Sequence, residues 1–304
     1  MTALANAKEL LQSNLPEAIA RAYAATEAAM RDGDPEAHAL MALLRGAGVG
    51  APQDWTLALD HLQAAAITGS RAARGQLSAL GHAGAADDWR ALRASVNIAD
   101  WTAPSHKQVL SAAPRIVVID DFISRAVCDW IIARGRGRTA PAMVFGHDVS
   151  AAEADAGRSN TAFEFGFLDL DLVMLLVRAR IAATIGFPVA AFEPVQVLHY
   201  ETGQRFARHH DYLDPNLPGH AADIARRGQR AITFLIYLNE DFDAGETHFP
   251  HVGVRRRCGV GGALYFGNID PAGAPDRRTL HEGLAPTRGE KWLLSQWIRN
   301  LAVV

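Results

Sequence analysis

Over the first 95 or so residues, apolar and polar positions alternate at helical spacing. "EAHALMALL" (36–44) and "LALDHLQAAA" (57–66) each place their apolar residues on one face, which predicts amphipathic helices. "GDPEAHALMALLRGAG" starts at Gly33 and "GSRAARGQLSALGHAG" starts at Gly69, so Gly, Ala and Leu positions recur 36 residues apart. A period of that size suits pairs of helices that stack to bury faces jointly. The pattern breaks at 96–114, where "NIADWTAPSHKQVLSAAPR" has prolines and little periodicity and reads as a linker. "RIVVIDDFIS" then gives a β-branched run, and Ser124 is placed to cap a helix over "RAVCDWIIARG". From about 190 the period shortens to that of strands. "VQVLHYE", "AITFLIYLN", "GALYFGN" and "WLLSQWIR" are separated by Gly, Pro, Asn and Asp, as in a barrel or double-sheet jelly roll.

The expected fold class is therefore α+β, with an all-α helical repeat region at 1–95, a linker at 96–114 and a strand-rich domain at 115–304, its core at about 193–300. The segment "AHALMALLRGAGVGAPQDWTLALDHLQAAAITGS" resembles a Sel1-like repeat, a relative of the tetratricopeptide family.

Composition narrows the function classes. The 304 residues are 49% hydrophobic and 21% charged, with a net charge of -3, which gives no reason to expect non-specific nucleic-acid binding. No stretch approaches ~20 apolar residues, so no membrane span is expected. The N-terminus has no basic stretch ahead of an apolar run, so no signal peptide is expected either. The two cysteines, Cys128 and Cys258, lie far apart and suggest neither a zinc site nor a disulfide framework. The expected location is the cytoplasm.

The candidate chemistry sits in "RFARHHDYLDP" (205–215). If Phe206–Asp211 is extended, His209 and Asp211 share a face and His210 points away. A His-x-Asp pair needs a third ligand to make the 2-His-1-carboxylate set of a non-haem iron site. His220, His248, His251 and His281 all compete for that place, and spacing does not choose among them. Lys291 follows His281 by ten residues, at the start of an apolar strand. A lysine there could neutralise a carboxylate entering the barrel. The Pro- and Gly-rich "YLDPNLPGHAADIARRGQ" (212–229) reads as a loop suited to a lid or clamp.

Residues 113–302 resemble the 2-oxoglutarate- and Fe(II)-dependent oxygenases of the prolyl 4-hydroxylase alpha-subunit type. The resemblance rests on three ordered blocks: "YETGQRFARHHD", "RAITFLIYLNEDFDAGETHFP" and "HEGLAPTRGEKWLLSQWIR". It implies a double-stranded β-helix domain in which His209, Asp211 and His281 ligate Fe(II) and serve as the catalytic centre. Lys291 would pair with the far carboxylate of 2-oxoglutarate. Tyr200, Tyr237 and Thr247 would line the co-substrate pocket, and Trp297 and Arg230 would border the co-substrate or substrate groove. Arg158, in "GRSNTAF", matches a position near the site mouth.

Implied cofactors are Fe(II), 2-oxoglutarate and O2, with ascorbate as reductant. The implied reaction is hydroxylation of a prolyl residue in a protein or peptide, with release of succinate and CO2. Helical repeats commonly present extended surfaces, so the helical region would recruit that substrate or equally serve as a dimer interface or a cover for the barrel, and neither nucleic acid nor membrane is an expected partner. Two departures stand out. Phe206 occupies a position where these enzymes often carry a substrate-holding tyrosine, which bears on peptidyl-proline specificity. Ala244 replaces the first glycine of the usual Gly-Gly-Glu-Thr. Two other readings remain: an oxygenase of a free amino acid or other small molecule, and a non-catalytic interaction protein working through its helices. Arg255-Arg256-Arg257 is expected to be a solvated hairpin edge, with docking of an acidic partner as its alternative.

Overall fold

The computed structural model of the chain describes residues 2–13, 15–82, 87–142, 144–145, 152–153 and 157–301. It divides into two compact units, residues 1–103 with 166–180, and residues 104–165 with 181–304. The last two residues of the second sequence repeat, 83–84, and the chain end at 302–304 lie outside the described residues.

The first unit is helical: α1 (Ala3–Leu11), α2 (Pro16–Arg31), α3 (Pro35–Ala47), α4 (Trp55–Thr68), α5 (Arg71–Leu80), α6 (Trp89–Ser95) and α7 (Ile98–Trp101). Its helix ends are written in the sequence. Asp34, Asp54 and Ser70 accept backbone N–H groups at the starts of α3, α4 and α5. Gly48 and Gly69 end α3 and α4 in the left-handed region, where a side chain would be strained. Leu40, Leu44, Leu59 and Leu62 bury the apolar faces of α3 and α4, which pack on one another.

Residues 166–180 fall with these helices, not with the second region to which their sequence assigns them. Two contacts account for this. Gln76 Oε1 accepts the backbone N–H of Leu172 at 2.9 Å. Gly46 leaves room that a Cβ would close, at 2.8 Å from Leu172 and 3.1 Å from Leu175. The segment 96–114 also carries more structure than a linker, since it holds α7 and the strand β1 (Gln108–Ala112).

The second unit contains β1, β2 (Arg115–Ile119), α8 (Arg125–Gly135), β3 (Ala140–Pro141), β4 (Val144–Phe145), β5 (Ala152–Glu153) and β6 (Thr161–Glu164). α9 (Leu172–Ile185) leads to β7 (Gln196–Tyr200), β8 (Phe206–His209), α10 (Pro218–Arg227), β9 (Arg230–Tyr237) and β10 (Phe242–Ala244). β11 (Thr247–Phe249), β12 (Val254–Arg256), β13 (Ala263–Gly267), β14 (His281–Gly283), β15 (Pro286–Gly289) and β16 (Lys291–Arg299) complete it. Ser124 caps α8 by accepting the Val127 N–H.

Eight strands form one antiparallel sheet in the order β1-β2-β13-β9-β16-β7-β6-β3, and four form a second in the order β12-β11-β14-β8. The apolar cluster joins both sheets. Leu198, Leu235, Leu264, Phe266 and Leu293 come from the large one, and Phe249 comes from the small one, with Phe206 and Val254 packed against the cluster. Two antiparallel sheets closing on one core make a jelly roll.

The stretch 212–229 is not all loop, for it contains α10. Asp223 pairs there with Arg227 at 2.7 Å and with Arg299 of β16 at 2.8 Å. The three arginines at 255–257 are not a bare cationic patch either. Arg255 pairs with Glu246, Arg256 with Asp120, and Arg257 donates to the Phe242 carbonyl.

Ala244 has φ of 59°, a conformation that favours glycine, and Gly245 follows at 70°. An alanine in the left-handed region costs roughly 1 kcal/mol, and glycine's extra unfolded freedom takes back part of any gain. Ala244→Gly is therefore expected to stabilise the protein by about 0.5 kcal/mol in urea unfolding. A lower midpoint in the variant would contradict the strained turn.

Candidate active site

Strand alternation builds the cavity. Tyr200, Leu198 and Gln196 of β7 face it, as do Lys291, Leu293, Ser295 and Trp297 of β16, and Thr233 and Leu235 of β9. The small sheet contributes Phe206, His209, Thr247, His281 and Gly283, and Arg158 joins at the edge. About 450 Å³ of empty space, part of it open to solvent, lies among these side chains.

His209 and His281 face each other across the β8–β14 pairing. Asp211 lies just past the end of β8, so the strand is shorter than expected, yet the alternation of side chains persists. His210 turns away, its Nε2 3.1 Å from the Arg277 carbonyl. His209 Nε2 is 3.5 Å from Asp211 Oδ1, and His281 Nε2 is 3.5 Å from Oδ2. One ligand atom from each residue lies within 4.8 Å of the other two, a grouping of metal-ligand type that no other side chains form among the described residues. His220 is engaged with the Asp214 N–H, His248 with Glu282, and His251 is exposed, so none of these competitors joins the group.

Backbone contacts set which ring nitrogens face Asp211. His209 Nδ1 is 2.8 Å from the Ala207 carbonyl, and His281 Nδ1 is 3.0 Å from the Thr279 carbonyl. A carbonyl only accepts, so each Nδ1 carries a proton, and each Nε2 is the ring nitrogen turned toward Asp211. Burial, helped by the neighbouring His209, lowers the His281 pKa to about 4, so this imidazole is neutral at pH 7. Burial alone would raise Asp211, but His281, His209 and the Thr233 hydroxyl hold its carboxyl well below the usual range. Two imidazoles and one carboxylate are the donor set of a non-haem Fe(II) centre.

The ring of Phe206 stacks on His209 with centroids 3.5 Å apart, and Phe249 and Phe266 pack against His281. These aromatic faces flank the two imidazoles and help hold them in place.

Lys291 is fully buried, and its Nζ has no hydrogen-bond partner among the described residues. It rests instead 4.9 Å and 5.4 Å from the ring centroids of Tyr200 and Tyr237. Burial lowers its pKa to about 7, against a smaller raising effect from the Glu246 carboxylate. A buried ammonium with three donors and no acceptor is a binding site for an anion.

The other expected residues divide. Tyr200, Thr247, Phe206 and Trp297 line the cavity, as does Arg158. Tyr237 does not line it, because its hydroxyl is turned away to Thr247 and the Arg256 carbonyl. Arg230 does not line it either. Its guanidinium forks onto Glu193 at 2.7 and 2.9 Å and lies 3.7 Å from the Trp297 ring centroid. Two polar residues were not foreseen. Thr233 donates to Asp211 Oδ2 at 2.7 Å, and Asn268 Nδ2 donates to Thr233 at 2.9 Å. The signal for Thr233 was a lone hydroxyl inside the apolar run "AITFLIY", which must find a buried partner. Asn268 follows the apolar strand β13 and had no such signal.

Residues 195–299 match the family described as the 2OG-Fe(II) oxygenase superfamily. Together with the jelly roll and its buried donor set, this defines a 2-oxoglutarate- and Fe(II)-dependent dioxygenase, which uses Fe(II), 2-oxoglutarate and O2. Prolyl 4-hydroxylase 1 of Arabidopsis thaliana is 31% identical over 212 residues, 64% of this chain and 72% of that protein. Prolyl 4-hydroxylase 5 of the same plant is 28% identical over 209 residues, 62% of this chain and 70% of that one. The chain belongs to the prolyl 4-hydroxylase family. Among solved structures, the viral collagen prolyl hydroxylase of Paramecium Bursaria Chlorella virus-1, in its 2OG complex, is 25% identical with a TM-score of 0.45. That match covers 60% of this chain and 94% of the viral one.

Proposed function

We propose that this chain hydroxylates prolyl residues in a protein or peptide, releasing succinate and CO2, with ascorbate as reductant. The observation that carries the site assignment is the unpartnered buried ammonium of Lys291 in the same cavity as the three metal-type ligands. His209 and His281 would hold Fe(II) through Nε2, and Asp211 through its carboxylate. Bound there, iron supplies the oxidative decarboxylation of 2-oxoglutarate and the C–H hydroxylation that follows it. Lys291 and Thr247 would take the far carboxylate of 2-oxoglutarate, with Tyr200 beside them. Leu198, Leu235 and Leu293 wall the co-substrate off from water. Thr233, braced by Asn268, orients Asp211 and takes up one of its lone pairs. Phe206 and Arg158 would meet the substrate at the cavity edge, where the Arg158 guanidinium lies 4.5 Å from the Phe206 ring centroid. Arg230 would act there indirectly, by holding Trp297.

We also infer that the helical unit is a Sel1-like pair of repeats that recruits the substrate. What supports the repeat is the recurrence of a left-handed glycine followed by a capping residue, Gly33–Asp34 and then Gly69–Ser70, each opening a helix. Helical repeats of this kind commonly offer extended binding surfaces.

The test is turnover by the full chain with Fe(II), 2-oxoglutarate and ascorbate on a panel of proline-containing peptides. The expected result is succinate release matched by a gain of one oxygen on proline, located by fragment mass spectrometry. Succinate release driven by free amino acids and not by peptides would replace this reading with a small-molecule oxygenase.

A further inference from the structure

We propose that His38 and His61 form a second metal site, within the helical unit, which takes a late first-row divalent ion such as Zn(II) and ties α3 to α4. His38 lies in the opening turn of α3 and His61 in the middle of α4. Their Nδ1 atoms face each other at 3.3 Å, with ring centroids 5.5 Å apart and ring planes inclined by 35°. That separation is longer than the roughly 2.7–3.2 Å of a good N–H hydrogen bond. It matches one edge of a tetrahedral metal site, where two metal–nitrogen bonds of about 2.05 Å hold their nitrogens about 3.3 Å apart.

The pair stands on rigid elements. Ala37, Leu40, Met41 and Leu44 bury one side of α3, and Ala58, Leu59, Leu62 and Ala65 bury one side of α4. Asp34 and Asp54 cap the two helices, so both are fixed at their starts. Each histidine is half-buried beside these apolar stripes, covered enough to be held and open enough for an ion to enter. Burial lowers the pKa of both rings, which leaves them neutral at pH 7 with a lone pair to give. The two charges that act on His61 oppose each other, and each is already paired: Arg45 with Asp54 at 3.7 Å, and Asp60 with Arg93 at 2.8 Å. Coordination through both Nδ1 atoms places each ring's own proton on Nε2, so neither imidazole has to give one up. Among the described residues no third His, Cys or carboxylate comes within the same reach, and water fills the other positions. Two neutral imidazoles with open places favour Cu(II), Ni(II) or Zn(II) over Fe(II), so the pair does not draw iron from the cavity.

The experiment is titration of the full chain with Zn(II), following the ring-nitrogen resonances of isotopically labelled histidines, in wild type, His38→Gln and His61→Gln. Calorimetry gives the stoichiometry in parallel, and circular dichroism checks that each variant is folded. In the wild type the Nδ1 resonances of His38 and His61 are expected to shift together and to saturate with one equivalent beyond that held by the cavity. Each variant is expected to lose that equivalent, with the remaining histidine of the pair unshifted, because one imidazole alone makes no chelate. Zn(II) is also expected to raise the melting temperature of the wild type by more than that of either variant, since the ion binds only the folded hairpin. Resonances of the pair that stay fixed under excess Zn(II), while those of other histidines move, would overturn the proposal and leave a hydrogen-bonded pair. Unchanged stoichiometry in both variants, or a shift of either ring that persists without the other, would overturn it as well. The resonance readout uses the unaltered chain, so it decides the question even where a variant folds poorly.

Discussion

Asp211→Ala is expected to lose Fe(II) binding at stoichiometric concentrations and to lower succinate production about a thousandfold or more, equivalent to about 4 kcal/mol. The size follows from what Asp211 does. It is the one anionic donor of the group, so its removal leaves two neutral imidazoles to hold a dication. Its loss also strands Thr233, whose hydroxyl donates to Oδ2 and accepts from Asn268. The stability effect runs in the same direction. The contacts that hold the Asp211 carboxyl well below the usual range outweigh the cost of its burial, so the metal-free variant is expected to melt below the wild type. Iron-dependent stabilisation should vanish as well, since only the wild type gains melting temperature from added Fe(II). Asp211→Ala protein that keeps both iron-dependent stabilisation and turnover would remove Asp211 from the metal site. The companion Thr233→Val should be milder, about 10- to 100-fold in iron affinity, because it leaves the ligand in place and frees only its orientation.

How much of this was legible beforehand depended on whether a residue's job is visible along the chain or only across it. Strand periodicity in "VQVLHYE" and "WLLSQWIR" gave the cavity walls, because side chains two apart must share a face in any extended segment. The same rule paired His209 with Asp211 and turned His210 away, even though β8 ends at His209. The third member of the group was not legible from spacing, since His281 reaches the site only through the pairing of β14 with β8. It came from resemblance. Tyr237 and Arg230 show the limit of alternation. Tyr237 has the inward parity of Thr233 and Leu235, but a long side chain carries its hydroxyl past the cavity to Thr247. Arg230 finds in Glu193 a buried carboxylate 37 positions earlier, a pairing that no local pattern announces. α10 was hidden for another reason. The Pro and Gly residues of 212–229 read as loop signals, but Pro218 sits at the first turn of the helix, where proline costs no hydrogen bond, and Gly228 lies just past its end.

Lys291→Met is expected to weaken 2-oxoglutarate roughly 100-fold and to abolish the pH dependence of its binding, with Fe(II) affinity retained. Methionine matches the lysine stem in length but carries no charge, so a carboxylate arriving there is desolvated without compensation, at a cost of about 3 kcal/mol or more. The pH dependence follows from the lowered pKa of about 7 in the empty site. Only the ammonium form binds the dianion well, and the dianion, once bound, stabilises the ammonium. Above pH 7, binding must therefore draw a proton from solvent. Affinity is expected to be flat below pH 7 and to fall about tenfold per unit above it. Calorimetry in two buffers of different ionisation enthalpy should show an uptake of about half a proton at pH 7, approaching one by about pH 8.5. The stability of the empty protein runs the other way. The unfolded lysine holds its proton up to about pH 10.4 while the folded one releases it near 7, so stability from this group rises with pH across that window. At pH 7 and below, the wild type carries a buried, unpaired ammonium, and Lys291→Met relieves it. The variant is therefore expected to be the more stable protein without co-substrate and the less stable one at saturating 2-oxoglutarate. A wild type that binds 2-oxoglutarate with no proton uptake between pH 7 and 8.5 would mean that Lys291 is already held charged by another group. The cavity would then have to find its carboxylate anchor elsewhere.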